Sequence, residues 1–115
     1  MPYVTVETNR PLGGAGLESF VKTASAFFAQ LTGKAEEKIM LRVTAGAAMV
    51  KGGTSGPAAY VLIKSIGLPV EKCPAYVEGI SAFLERELAV PRERIYIDLA
   101  AIEPAWFGAG GRTFA

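Results

Sequence analysis

The sequence predicts an α+β domain built from a duplicated β-α-β unit, with a four-stranded mixed sheet and two helices on one sheet face. Three observations carry this. Four short runs of β-branched and apolar residues read as strands, and two longer stretches repeat their apolar residues every three or four positions. The segments follow one another as β-α-β and then β-α-β, in halves of about fifty residues. Right-handed crossovers in both halves bring both helices to the same side of the sheet.

The first strand runs from Tyr3 to Thr8, where β-branched residues alternate with others. Asn9 to Gly16 reads as a loop. Its glycines lack the spacing of a phosphate cradle and the acid that should follow one. Leu17, Phe20, Val21, Ala24, Phe27, Phe28 and Leu31 then mark one broad apolar helix face, closed by Thr32-Gly33. An aromatic stripe at this spacing belongs to a core. Ile39 to Thr44 is the second strand. Ala45 to Pro57 is a loop, with a short extended piece expected at Met49-Val50.

Ala58 to Ile63 runs apolar without a break, which predicts a strand buried on both faces. The second helix begins at Tyr76 or Val77 and ends at Leu88, ahead of Pro91. Arg94 to Leu99 is the fourth strand. Trp106, Phe107 and Phe114 stand among glycines in the tail, an unusual composition for a disordered end. With both helices on one face, the other face of the sheet needs a cover. A second copy of the same chain is the simplest one.

At 115 residues the sequence forms one domain. Half of it is hydrophobic and a fifth charged, which excludes a disordered chain. The net charge is +1 with no basic run, so nucleic acid is a poor partner. With one cysteine, Cys73, and no histidine, there is no disulfide framework, no Cys/His metal cluster and no histidine-based triad. Cys73 reads as a small hydrophobe. Neither a secretory leader nor a membrane span is visible. The expected location is the cytoplasm, with leaderless export as the alternative. Neither a cofactor nor a metal is expected.

Acid–base chemistry must then come from carboxylates, lysines, tyrosines, Cys73 or the chain terminus. Pro2 follows the initiator methionine directly. If Met1 is removed, Pro2 carries a secondary amine. An α-amino group titrates near ~8, and burial in an apolar pocket or a nearby cation lowers that value. Such an amine could serve as general base or as nucleophile. The plainer reading is a proline that starts a strand, where its missing N–H costs nothing. Lys34, just past a glycine C-cap, favourably faces a helix dipole. Tyr96 suits a core or an interface. Arg42, Lys51, Arg92 and Arg94 read as solvated charges or subunit contacts.

Several short matches spread over the whole chain occur in a specific order: Met1-Pro2, Thr8-Asn9, Leu31-Thr32-Gly33-Lys34, Gly52-Gly53 leading to Pro57, Ser65-Ile66-Gly67, Arg94-Ile95-Tyr96-Ile97 and Thr113-Phe114-Ala115. In this order and spacing the sequence resembles the macrophage migration inhibitory factor family of the tautomerase superfamily. D-dopachrome tautomerase and 5-carboxymethyl-2-hydroxymuconate isomerase are sister groups with the same N-terminal proline. The resemblance implies a homotrimer, sheets inside and helices outside, with active sites between subunits. It also implies cofactor-free keto–enol tautomerisation of a small aromatic α-keto acid such as phenylpyruvate.

Carried over by position, Pro2 would be the general base. Lys34 would pair with the substrate carboxylate, and Ile66 would offer its backbone N–H beside Ser65. Tyr96 would come from the next subunit. Tyr3, Ile102, Phe107 and Phe114 would form the apolar wall. Asp98 stands where the family usually has asparagine, near the same site, and Ala109 replaces an aromatic residue that Trp106-Phe107 could refill. Ala58 and Val61 occupy the places of the cysteine pair linked to thiol-redox activity, so that activity is not implied. The acidic loop residue proposed for receptor contact is missing near Gly46. Two alternatives remain open at this point. One is a non-enzymatic, cytokine-like interaction protein; the other is a hydratase or dehalogenase in which Asp98 positions a water.

Overall fold

The structure is a computed structural model and describes residues 2–115. Strand β1 (Tyr3–Thr8) is followed by helix α1 (Gly14–Thr32) and strand β2 (Met40–Thr44), which lies parallel to β1. Strand β3 (Ala59–Ile66) runs antiparallel to β1. Helix α2 (Cys73–Leu88) then leads to strand β4 (Ile95–Ile102), parallel to β3. The sheet order is β2-β1-β3-β4. Two β-α-β units thus meet along an antiparallel seam, which makes the sheet mixed, as the duplicated pattern predicts.

One sheet face carries the core. Val4, Val6, Val61, Ile63 and Ile95 are buried against Phe20 and Phe28 of α1 and Ile80, Phe83 and Leu84 of α2. Phe83 is the aromatic hub. Its ring stacks on Phe27 at 4.0 Å between centroids and 7° between planes, with Phe20 at 5.9 Å and Phe28 at 6.3 Å. Helix α1 stops at Gly33, whose φ of 71° lets its N–H reach the Ala29 carbonyl at 3.0 Å. Glycine adopts that conformation without the clash a side chain would meet.

Strand β3 runs to Ile66, three residues beyond the apolar run. Its residues alternate: Ala59, Val61, Ile63 and Ser65 are buried under the helices, whereas Tyr60, Leu62 and Ile66 are half-buried and Lys64 is exposed. An unbroken apolar run hides a period of two when the open face also takes apolar residues. The open face is mixed in character, with Thr5, Glu7, Arg42, Lys64 and Asp98 among Tyr60, Leu62 and Met40.

Four other expectations shift. Helix α1 begins at Gly14 rather than Leu17, because the Leu17 N–H reaches the Gly13 carbonyl at 2.7 Å and closes a first turn through the glycines. Helix α2 begins at Cys73, with a proline in its first turn where a missing N–H is harmless. Met49-Val50 forms no strand; the loop instead closes through a bridge between Lys51 and Thr54. The tail folds into a short hairpin, β5 (Gly108–Ala109) and β6 (Arg112–Thr113). Gly110 and Gly111 supply the two positive φ angles of its turn, 62° and 83°.

Arg92 and Arg94 are not free surface charges. Arg92 binds Glu78 at 2.9 Å and Glu85 at 2.8 Å. Its guanidinium holds the Glu85 carboxyl below the usual carboxylate range. Arg94 gathers the loop before β3, and the Lys51 ammonium lies 5.1 Å from the centre of the Tyr96 ring.

Candidate active site

A cavity of about 860 Å³ opens where the start of β1, the end of β4 and the C-terminal hairpin come together. This volume is within the range of small-molecule sites. Its apolar lining includes Pro2, Tyr3, Met40, Ile102, Phe107 and Phe114, and its charged lining is Lys38, Lys64 and Glu103.

Sheet pairing fixes the floor. Pro2 is buried, and its carbonyl accepts the Met40 N–H at 3.1 Å, which joins the head of β1 to the head of β2. Tyr3 pairs with Met40 on one side and with Lys64 on the other. The wall is an aromatic pair. Phe107 and Phe114 stack with centroids 5.4 Å apart and planes at 17°, and the Phe114 N–H donates to the Phe107 carbonyl at 3.0 Å. Trp106 lines the mouth and is 84% exposed.

The cavity gathers Pro2, Tyr3, Ile102, Phe107 and Phe114 of the residues singled out in the sequence. Lys34, Ser65, Ile66, Tyr96 and Asp98 are not part of its lining within one chain. Lys34 sits just beyond the Gly33 cap and is half-buried. Ser65 is fully buried on the helix side, and its hydroxyl donates to the Ile66 carbonyl at 3.2 Å, so its side chain faces away from the open face. Ile66 is the register partner of Ile102, one strand away from the wall.

Tyr96 and Asp98 belong to the other end of β4. Tyr96 precedes Ile102 by six residues, about 20 Å of extended strand. Asp98 accepts the Tyr60 hydroxyl at 2.9 Å. Neither residue reaches this cavity within one chain. The removal of Met1, which would free the Pro2 nitrogen, concerns a residue outside those described.

Sequence reasoning missed Lys38, Lys64, Met40 and Glu103. Lys64 directly follows Ile63, where the apolar run ends, whereas β3 continues to Ile66. Among the described residues, no group of three or more Cys, Asp or Glu side chains is placed to hold a metal ion.

Comparison with known proteins decides the family. Residues 1–115 match the family described as Macrophage migration inhibitory factor (MIF). The chain belongs to the macrophage migration inhibitory factor family. That family is part of the tautomerase superfamily. A macrophage migration inhibitory factor homolog of Brugia malayi is 36% identical over 115 residues, covering 99% of each chain. A D-dopachrome decarboxylase of Bos taurus is 33% identical over 96% of this chain and 95% of its own. Among solved structures, the macrophage migration inhibitory factor homologue of Prochlorococcus marinus superposes with a TM-score of 0.88 at 28% identity, covering 98% of this chain and 99% of that one.

Proposed function

We propose that this family member is a cofactor-free keto–enol tautomerase acting on small α-keto acids, with the Pro2 nitrogen as general base. The observation that carries the proposal is the placement of buried Pro2 in an apolar cavity that also holds two lysines. Apolar surroundings favour the uncharged amine over the ammonium.

In the proposed reaction, the Pro2 nitrogen takes a proton from the carbon next to the keto group. The electron pair left behind forms the carbon–carbon double bond, and the carbonyl π pair moves to oxygen. The proton held on the Pro2 ammonium then passes to that oxygen, directly or by exchange with water, which gives the enol and returns the amine to its uncharged form. A lysine ammonium would hold the substrate carboxylate and orient the reacting carbon. The stacked Phe107–Phe114 pair offers a flat apolar wall for an aromatic substrate such as phenylpyruvate.

The reading includes a homotrimer. It is supported by an open sheet face that carries Tyr60, Leu62 and a 68% exposed Met40, and by the distance of Tyr96 and Asp98 from the cavity of their own chain. A neighbouring copy would bring Tyr96 and Asp98 to the site, while Lys34 and the Ile66 backbone N–H would serve the substrate carboxylate.

The test is phenylpyruvate tautomerisation by the wild type and by Pro2→Gly, with intact mass measured on both. The mature mass should lack Met1. Pro2→Gly should lower kcat/KM by roughly a hundredfold or more, the scale of a lost general base. Equal rates would reject the role of Pro2 and favour a non-enzymatic interaction protein. Turnover of halogenated or acetylenic acids in place of phenylpyruvate would favour the hydratase or dehalogenase reading.

A further inference from the structure

The cavity is lined by two separate cations and one carboxylate, Glu103. Lys38 and Lys64 both line it, and among the described residues neither forms an ion pair. They stand on opposite sides of β1, the strand that follows Pro2. Lys64 is the register partner of Tyr3 on β3. Lys38 lies two residues before Met40, the register partner of Tyr3 on β2. Strands two apart are about 10 Å from each other. The two cations thus bracket the Pro2-Tyr3 dipeptide; the sheet ladder holds the Lys64 backbone, and a one-turn helix holds that of Lys38, whose N–H donates to the Ala35 carbonyl at 3.0 Å.

Glu103 also lines the cavity, on the wall beside the C-terminal hairpin. Within one chain it is not within ion-pair distance of either lysine. A monoacid such as phenylpyruvate would satisfy one lysine and leave the other facing an apolar ring.

We propose that the preferred ligand of this cavity is a diacid: an α-keto acid whose far end carries a second carboxylate, with Lys38 and Lys64 each taking one of the two. The proposal rests on the tautomerase reading for the reaction, but the charge preference itself is a binding property. Two anions held by separate cations across the floor would suspend the carbon chain or ring over Pro2, where the base must reach it.

The test compares matched pairs. The binding pair is 4-(carboxymethyl)benzoic acid and its benzoate methyl ester, which differ by one negative charge. Trp106, the sole tryptophan, lines the cavity mouth and reports binding by its fluorescence. The wild type should bind the diacid about tenfold more tightly, the scale of one added charge-assisted hydrogen bond. Lys38→Gln and Lys64→Gln should each bring the ratio toward one, and Lys64→Arg should retain most of it. The turnover pair is 4-carboxyphenylpyruvate and its aryl methyl ester, for which kcat/KM should show the same ranking.

Equal binding of diacid and monoester by the wild type would overturn the diacid proposal, as would a ratio unchanged in both glutamine variants. A binding preference without turnover of either keto acid would uphold the diacid site and reject the tautomerase. Turnover of both keto acids at equal kcat/KM, with equal binding, would reject the diacid site and leave the tautomerase standing.

Discussion

The Tyr60 hydroxyl donates to Asp98 Oδ2 at 2.9 Å across the open face of the sheet. Tyr60 is in register with Tyr96, and Asp98 lies two residues further along β4, so the bond is a diagonal cross-strand pair. It gives the carboxylate a fixed direction on a surface where the proposed trimer would need one. The hydrogen bond to Asp98 raises the phenol above its ordinary value, with lesser contributions from burial and from the charges of Asp98 and Glu7.

The sign of the pH dependence follows from that direction. A phenol raised in the folded state contributes stability that is fully present below the unfolded value of ~10. The contribution is lost as pH rises through the folded value. Asp98→Ala should bring the Tyr60 titration down toward the ordinary tyrosine value, read as the ultraviolet phenolate signal that Tyr60→Phe removes. A titration unmoved by Asp98→Ala would mean that the pair is not formed in solution.

Phe83 joins the two helices. It is 1% exposed and lies within 6.3 Å of three other aromatic rings, all on α1. Removing its ring leaves a void between elements that cannot close without moving a helix. Phe83→Ala should cost roughly 3–5 kcal/mol, and Phe83→Leu considerably less. Urea denaturation at one fixed protein concentration checks both, because an oligomer would make stability concentration-dependent.

Helix α2 ends on an alanine in a glycine conformation. Ala89 has φ 55° and ψ 40°, and its N–H donates to the Glu85 carbonyl at 3.2 Å. It is the one non-glycine residue with positive φ among those described. Left-handed backbone brings Cβ close to the next carbonyl oxygen, at a cost of about 1 kcal/mol. Ala89→Gly should therefore raise stability by up to about 1 kcal/mol, whereas Ala89→Val should lower it. Thermal unfolding of the two variants should move in opposite directions.

The architecture was legible because its signals are local. Leu17 to Leu31 repeats at helical spacing, and Tyr3 to Thr8 alternates, so periodicity alone places α1 and β1. The end of β3 was not legible, since Lys64, Ser65 and Ile66 break the apolar run while the ladder to Ala100, Ala101 and Ile102 continues. Stopping the strand at Ile63 left out Lys64, one of the two cations at the cavity. Lys38 was hidden for another reason: it ends a one-turn helix of three residues, too short to carry a period. Pro2 stands out by its place behind Met1, and Phe107 and Phe114 by their setting among glycines, but only the family resemblance joins them in one site. Nothing in their spacing says that a head and a tail more than a hundred residues apart meet at one cavity.

Arg94 provides the last test, because its role is invisible in the sequence and specific in the structure. Its guanidinium makes five hydrogen bonds to one loop: to the carbonyls of Lys51, Thr54, Gly56 and Pro57, and to the Thr54 hydroxyl, at 2.8–3.2 Å. Asn9 holds the same loop from the other side, donating to the Gly56 carbonyl at 2.9 Å and accepting the Ala58 N–H at 2.9 Å. A planar fork can serve several carbonyls at once, and an ammonium cannot reproduce that geometry. Arg94→Lys should keep the charge and still lose most of the contacts, costing about 1–3 kcal/mol. Amide hydrogen exchange should rise over residues 51–57 while the helices stay protected. If Arg94→Lys exchanges like the wild type, the loop is held by Asn9 and its own turn, and the guanidinium is dispensable.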